Sequence, residues 1–162
     1  MEIKTIKTKN SQQTFNLGKN LGMAVSQRIC IALKGELGAG KTTFVQGFAK
    51  GLGISEKYYI TSPTFNIINQ YPLKNFSLCH IDLYRIGSIE ELEYTGFDDF
   101  DSTENNHILI IEWPELLKEI DFKFDLEISF KFDQYYNRIL SFSSAGQQGS
   151  DLIDKLFHTM ND

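Results

Sequence analysis

The segment Gly35-Glu36-Leu37-Gly38-Ala39-Gly40-Lys41-Thr42 constrains this chain more than any other, because it directly follows the apolar run Ile29 to Leu33 and leads into a stretch patterned as a helix. Strand, glycine-rich loop and helix in that order form the setting of a phosphate-binding loop. Glycines let the backbone turn with positive φ and bring its N–H groups up to phosphate oxygens, and the following helix aims its positive end at the same anion. Lys41 is the expected ammonium for the β and γ phosphates, and the Thr42 hydroxyl the expected ligand of Mg²⁺. Five consecutive apolar residues before the loop read as a strand buried on both faces, and Phe44, Val45, Phe48, Ala49 and Leu52 recur at helical spacing after it. Nucleotide binding is the first functional expectation.

The chain's 162 residues fit one domain, 1–162, with enough length to bury a core without metals or disulfides. Hydrophobic residues make up 41% and charged residues 23%, and no apolar run is long enough to span a membrane. Met1-Glu2-Ile3-Lys4 lacks the core of a signal peptide. Cys30 and Cys79 each sit inside an apolar strand-like run and read as buried free thiols. These features place the protein in the cytoplasm. The formal net charge of −5 gives no support for a primary nucleic-acid binder.

Asn10-Ser11-Gln12-Gln13 is the cap of a first helix with Leu17, Leu21 and Val25 on its buried face. After the loop helix, Gly51-Leu52-Gly53 is a stop signal, Thr61-Ser62-Pro63-Thr64 breaks the pattern, and strand-like runs follow at Phe65 to Tyr71 and Phe76 to Ile81. Ser88-Ile89-Glu90-Glu91 matches a capping box for a short helix ending near Gly96. Ile108 to Ile111 is a second buried strand. Phe124 to Phe132 and Arg138 to Ser144 alternate as a hairpin would, and Leu152, Ile153, Leu156, Phe157 and Met160 share one face of a last helix. The pattern predicts an α/β fold of the P-loop NTPase kind, with a mostly parallel, mixed sheet flanked by helices.

A Mg²⁺-nucleotide site needs a carboxylate at the end of a buried strand, where a rigid element can hold it beside the phosphates. Two qualify: Asp82 closes Leu78-Cys79-His80-Ile81, and Glu112 closes Ile108 to Ile111. Either could hold the metal while the other orients the attacking water. Thr61 and Thr64 flank Pro63 in a loop suited to a phosphate-sensing switch, an ordinary turn being the alternative. Trp113 is placed to stack near the site or simply to pack. His80 reads as a partly buried core residue without a catalytic role, and Asp98, Asp99 and Asp101 as a solvated surface.

Taken together, the loop through Thr43, Thr61-Ser62-Pro63-Thr64-Phe65, His80-Ile81-Asp82-Leu83-Tyr84-Arg85, Glu90-Glu91-Leu92-Glu93 and Glu112-Trp113-Pro114 resemble the TsaE family, also called YjeE, from about Thr14 to Gly146. The resemblance implies an ATPase required, with the partner proteins TsaB and TsaD, for threonylcarbamoylation of the tRNA adenosine adjoining the anticodon. TsaD would carry out the transfer, and tRNA would be met only through the complex. Carried over by position, Thr42 and Glu112 would be Mg²⁺ ligands. Lys41 and the loop from Glu36, Leu37, Gly38, Ala39 and Gly40 to Thr42 and Thr43 would hold the ATP phosphates, and Asp82 would serve hydrolysis with Thr64 beside it. Thr14 falls where the family approaches the adenine, and Arg138 in the stretch that closes over the nucleotide.

A GTPase would need an Asn/Thr-Lys-x-Asp sequence, and here Lys123-Phe124-Asp125 and Lys131-Phe132-Asp133 are each preceded by Phe. A small-molecule kinase shares the loop and the size but ordinarily clamps phosphates with several arginines; this chain has Arg28, Arg85 and Arg138. A nucleotide-sensing adaptor with negligible turnover is the non-enzymatic alternative.

Overall fold

The computed structural model describes residues 3–101 and 106–160. Met1 and Glu2 of the N-terminal segment, and the Asp101 side chain of the acidic cluster, lie outside the described residues. A seven-stranded sheet has the order β1 (Lys4–Thr8), β7 (Arg138–Ser144), β6 (Leu126–Phe132), β2 (Cys30–Lys34), β5 (His107–Glu112), β4 (Ser77–Asp82) and β3 (Ile68–Pro72). β2 pairs parallel with both β5 and β6, and β5 pairs parallel with β4, whereas β1–β7, β6–β7 and β3–β4 are antiparallel. β7 and β3 therefore run against the other five strands, and the sheet is mixed, parallel at its centre from β6 to β4 and antiparallel towards each edge. The sequence placed the mixed character at the C-terminal edge; the β3–β4 hairpin adds it at the opposite one.

Helices α1 (Ser11–Ala24), α2 (Lys41–Leu52) and α5 (Gln147–Thr159) cover one face. Under them Leu17, Leu21, Phe44 and Phe48 pack on Ile31, Leu33, Ile108, Ile110, Ile128 and Phe142. The short α3 (Ile89–Glu93), α4 (Asp98–Asp101) and a 3₁₀ helix at Pro114–Ile120 lie towards the other face, where Cys79, Ile81, Leu109 and Ile111 meet Leu92, Phe97 and Leu117. Side chains alternate across a strand, so Ile108, Ile110 and Glu112 share one face of β5, as do Leu78, His80 and Asp82 on β4. That is the face carrying α2, which is why two buried acids end up beside the helix that follows the phosphate loop.

The helix ends follow their caps. Asn10 accepts from the Gln13 N–H at 2.8 Å, and Gly53 closes α2 with φ 85°. Ser88 accepts from the Glu91 N–H, while the Glu91 carboxylate reaches the Gly87 N–H rather than that of Ser88. Val25 and Met160 stand just beyond α1 and α5, at their C-caps, and Met160 is exposed. β3 starts at Ile68 instead of Phe65, because residues 64–66 form a turn and Ile67 has φ 66°. Asp98 and Asp99 are exposed, as expected of a solvated surface, and lie in one helical turn whose Phe100 ring is 5.4 Å from that of His107. Cys30 and Cys79 are both buried, as expected, and both are reduced thiols.

Helices α1 and α2 meet main chain to main chain. A Cβ at Gly18 would lie 2.2 Å from the Phe44 carbonyl oxygen, at Gly22 2.2 Å from that of Phe48, at Gly47 1.9 Å from that of Phe15 and at Gly51 2.1 Å from that of Lys19. Any side chain at these four positions would force the two helices apart.

Candidate nucleotide site

The loop between β2 and α2 turns through Gly35, Gly38 and Gly40, at φ 147°, 79° and 102°. All three lie in conformations that residues with a Cβ rarely adopt. α2 opens at Lys41, so its first N–H groups face a cleft of about 330 Å³. Leu37, Gly38, Gly40, Lys41, Thr42 and Thr43 line it on the loop side, and Thr64, Asp82, Glu112, Trp113 and Arg138 line the rest with Ser62, Tyr84 and Arg85.

Lys41 Nζ donates to the carbonyl oxygens of Gly35 at 2.6 Å and Glu36 at 2.9 Å and lies 4.3 Å from the centroid of the Trp113 ring. Burial pulls its ammonium below the ordinary lysine value, while the charges of Glu112, Asp82 and Glu115 oppose the shift. Trp113 itself has φ 58° and packs at 4.9 Å on Tyr84, with Pro114 behind it opening the 3₁₀ helix.

Asp82 and Glu112 are direct neighbours in the β4–β5 register. Their surroundings differ. Asp82 Oδ2 accepts from Ser62 Oγ at 2.6 Å and Thr64 Oγ1 at 3.2 Å, and Oδ1 accepts from the Tyr84 N–H at 2.9 Å. Glu112 Oε1 accepts from Thr42 Oγ1 at 3.4 Å and stands 2.8 Å from His80 Nε2. Among the described residues no group of three or more His, Cys, Asp or Glu could cage a metal. Mg²⁺ does not ask for such a cage: one or two protein oxygens completed by phosphates and water suit it, and the converging Thr42 hydroxyl and Glu112 carboxylate are oxygen donors of that kind.

The remaining sequence candidates are spread around this centre. Arg138 Nε donates to the Ala39 carbonyl at 3.2 Å and would sit 2.8 Å from a Cβ at Gly40, so it is part of the loop's wall. Thr14 lies behind Gly40, fully buried, with its hydroxyl 2.8 Å from that of Thr8; its methyl backs the loop without lining the cleft. Glu36 and Ala39 turn towards Phe130 and Phe132 on the loop's outer side and reach the site only through their main chain. Thr61 does not line the cleft; Ser62 takes its place in the segment around Pro63.

Ser62, His80, Tyr84 and Arg85 had no role in the sequence reading. His80 could have been found from period two, since it stands two residues before Asp82 on the same strand face. Nothing local distinguishes Ser62 from Thr61, because only the chain's path decides which hydroxyl reaches the acid.

The family described as "Threonylcarbamoyl adenosine biosynthesis protein TsaE" matches residues 8–140, a span holding every site residue named above. The tRNA threonylcarbamoyladenosine biosynthesis protein TsaE of Borreliella burgdorferi is 40% identical over 116 residues, covering 69% of this chain and 79% of that one. The protein of the same name from Bacillus subtilis is 33% identical over 150 residues, covering 93% and 91%. The crystal structure of Bacillus subtilis YdiB superposes with a TM-score of 0.77 at 28% identity, over 98% of this chain and 96% of that one. The chain belongs to the TsaE family, nucleotide-binding proteins of tRNA threonylcarbamoyladenosine biosynthesis.

Proposed function

We propose that residues 1–162 form a single Mg²⁺-dependent ATPase domain that works in the cytoplasm with TsaB and TsaD and meets tRNA only through that assembly. The observation that carries this reading is the cleft in which the phosphate loop, the Thr42 hydroxyl and the paired ends of β4 and β5 converge.

The N–H groups of Gly38 to Thr43 bind the phosphate oxygens at the positive end of α2. Lys41 leaves its carbonyl partners for the β and γ phosphates, and Trp113 and Arg138 wall in the nucleotide. Thr14 backs the loop beneath it, on the side assigned to the adenine. Thr42 and Glu112 would hold Mg²⁺, which when bound offsets negative charge developing on the transferring phosphoryl group. Asp82 has accepted one hydrogen bond on Oδ1, and a carboxylate oxygen can accept two, so it retains a position from which to orient water. Thr64 ties that acid to the loop carrying it.

Turnover by the isolated chain is slow, since Arg138 and Arg85 are the arginines lining the cleft. Phosphate release by the purified chain, alone and with TsaB and TsaD, is the test. Faster Mg²⁺-dependent release in the assembly is expected. No release in either setting overturns the ATPase and leaves a nucleotide-sensing adaptor; phosphate transfer to a small molecule would make the protein a kinase.

A further inference from the structure

We propose that His80 is the positioning residue of Glu112: its Nε2–H fixes the carboxylate so that Glu112 and Thr42 can engage Mg²⁺ together. This rests on the metal reading above and adds a residue to it.

His80 is fully buried in mid-strand, between Cys79 and Ile81. An imidazole in such a place is costly unless it is hydrogen-bonded, and so is the carboxylate of Glu112, 3% exposed. Each meets that need through the other. His80 stands opposite Ile110 in the β4–β5 register, so the 2.8 Å contact to Glu112 Oε1 is the diagonal one, within reach of two long side chains on one sheet face.

The tautomer follows from the partners. Among the described residues His80 Nδ1 has no hydrogen-bond partner. A proton on Nε2 makes one good bond and leaves only a lone pair unmatched. A proton on Nδ1 alone would strand a buried N–H and set the Nε2 lone pair against the carboxylate.

The two donors on Glu112 are unequal. Thr42 Oγ1, at 3.4 Å, is beyond the usual O–H···O range and belongs to a rotatable hydroxyl. That bond is the one to yield when Thr42 becomes a ligand. His80, held in the centre of the sheet, does not turn away and keeps the carboxylate aimed. Asp82 has its own donors, so His80 serves Glu112 alone. Partners of this kind behind a metal ligand set its orientation and thereby its affinity.

Calorimetry with a non-hydrolysable ATP analogue over a Mg²⁺ series tests the role. His80→Leu fills the space without a donor, and His80→Gln restores an N–H at nearly the same reach. In His80→Leu the Mg²⁺ needed for half of the affinity gain should rise about 10- to 100-fold, with metal-free affinity almost unchanged and most of the loss recovered in His80→Gln. A folded His80→Leu with wild-type Mg²⁺ dependence overturns the inference. ¹⁵N ring resonances of His80 in the wild-type protein give a reading that needs no folded Leu variant. Protonated Nε2 with bare Nδ1 supports it, and a proton on Nδ1 alone overturns it. If the wild-type chain gains nothing from Mg²⁺, the metal reading of Thr42 and Glu112 falls first, and this role with it.

Discussion

Asp82 and Glu112 occupy adjacent ends of parallel strands, yet one is held by a loop and the other by the core. Two of the three donors on Asp82 come from Ser62 and Thr64, on a segment that ends at Ile67 with φ 66°, a conformation β-branched residues rarely adopt. The partners of Glu112 come from the middle of β4 and the first turn of α2. Equivalent positions in a sheet can thus carry different duties. The acid tied to a loop can follow that loop, while the acid tied to strand and helix stays where they are.

Lys41→Ala faces both acids and should have the largest effect: turnover falls about 100-fold or more, because a preorganised charge at the phosphates is lost. Circular dichroism should show an intact fold beside the phosphate-release assay. Normal turnover would remove the phosphate-loop assignment, and the contrast between the acids would lose its meaning.

The acids themselves come next. Asp82→Asn should slow single-turnover hydrolysis by about 100-fold while Mg²⁺-dependent binding stays, as expected for loss of a water-orienting group. Glu112→Gln should instead raise the Mg²⁺ requirement of nucleotide binding. The opposite pattern would exchange the two roles.

Ser62→Ala with Thr64→Val strips Asp82 of its two loop donors and should cost hydrolysis about 10-fold or more, since each hydrogen bond to a charged group is worth at least about that. The Mg²⁺ dependence of binding should not move. If it moves as far as hydrolysis does, the acids are coupled and the division between loop and core fails.

The smallest effect probes the rigid side. Cys79, on the face of β4 opposite His80, has its thiol pushed up from 9.0 to about 11 by burial. Between those values the unfolded thiol loses its proton while the folded one keeps it, so rising pH favours unfolding, by at most about 1.4 kcal/mol per pH unit. Denaturant midpoints should fall from pH 9 upward, with a shallower slope in Cys79→Ala. An identical slope in both proteins would mean that the β4 core is more open to water than its packing indicates.

The phosphate loop was legible because its chemistry is local: glycines, lysine and threonine at fixed spacing, with an apolar strand before and a helical pattern after. Asp82 and Glu112 were legible for a related reason, each ending an apolar run. His80 was only half legible: period two puts it on the face of Asp82, but a histidine inside such a run resembles core filling and its partner is 32 residues away. Ser62 was hidden by its likeness to Thr61 in a loop whose path depends on the rest of the fold. The order of the strands was beyond a residue-by-residue reading as well, since β1 pairs with β7 across nearly the whole chain. Gly18, Gly22, Gly47 and Gly51 recur at four-residue spacing, but a helical glycine reads as a mild weakness unless the opposing backbone is known.

Those glycines make α1 and α2 a single stiff bar. With carbonyl oxygens set where side chains would otherwise act as padding, nothing between the helices can compress, and a slide along either axis runs backbone into backbone. The helix that presents Lys41 and Thr42 is therefore backed by a seam with no room for a side chain. Across the cleft the segment from Ser62 to Ile67 is tied to Asp82 through two side-chain hydroxyls instead, a joint that can turn where the glycine seam cannot.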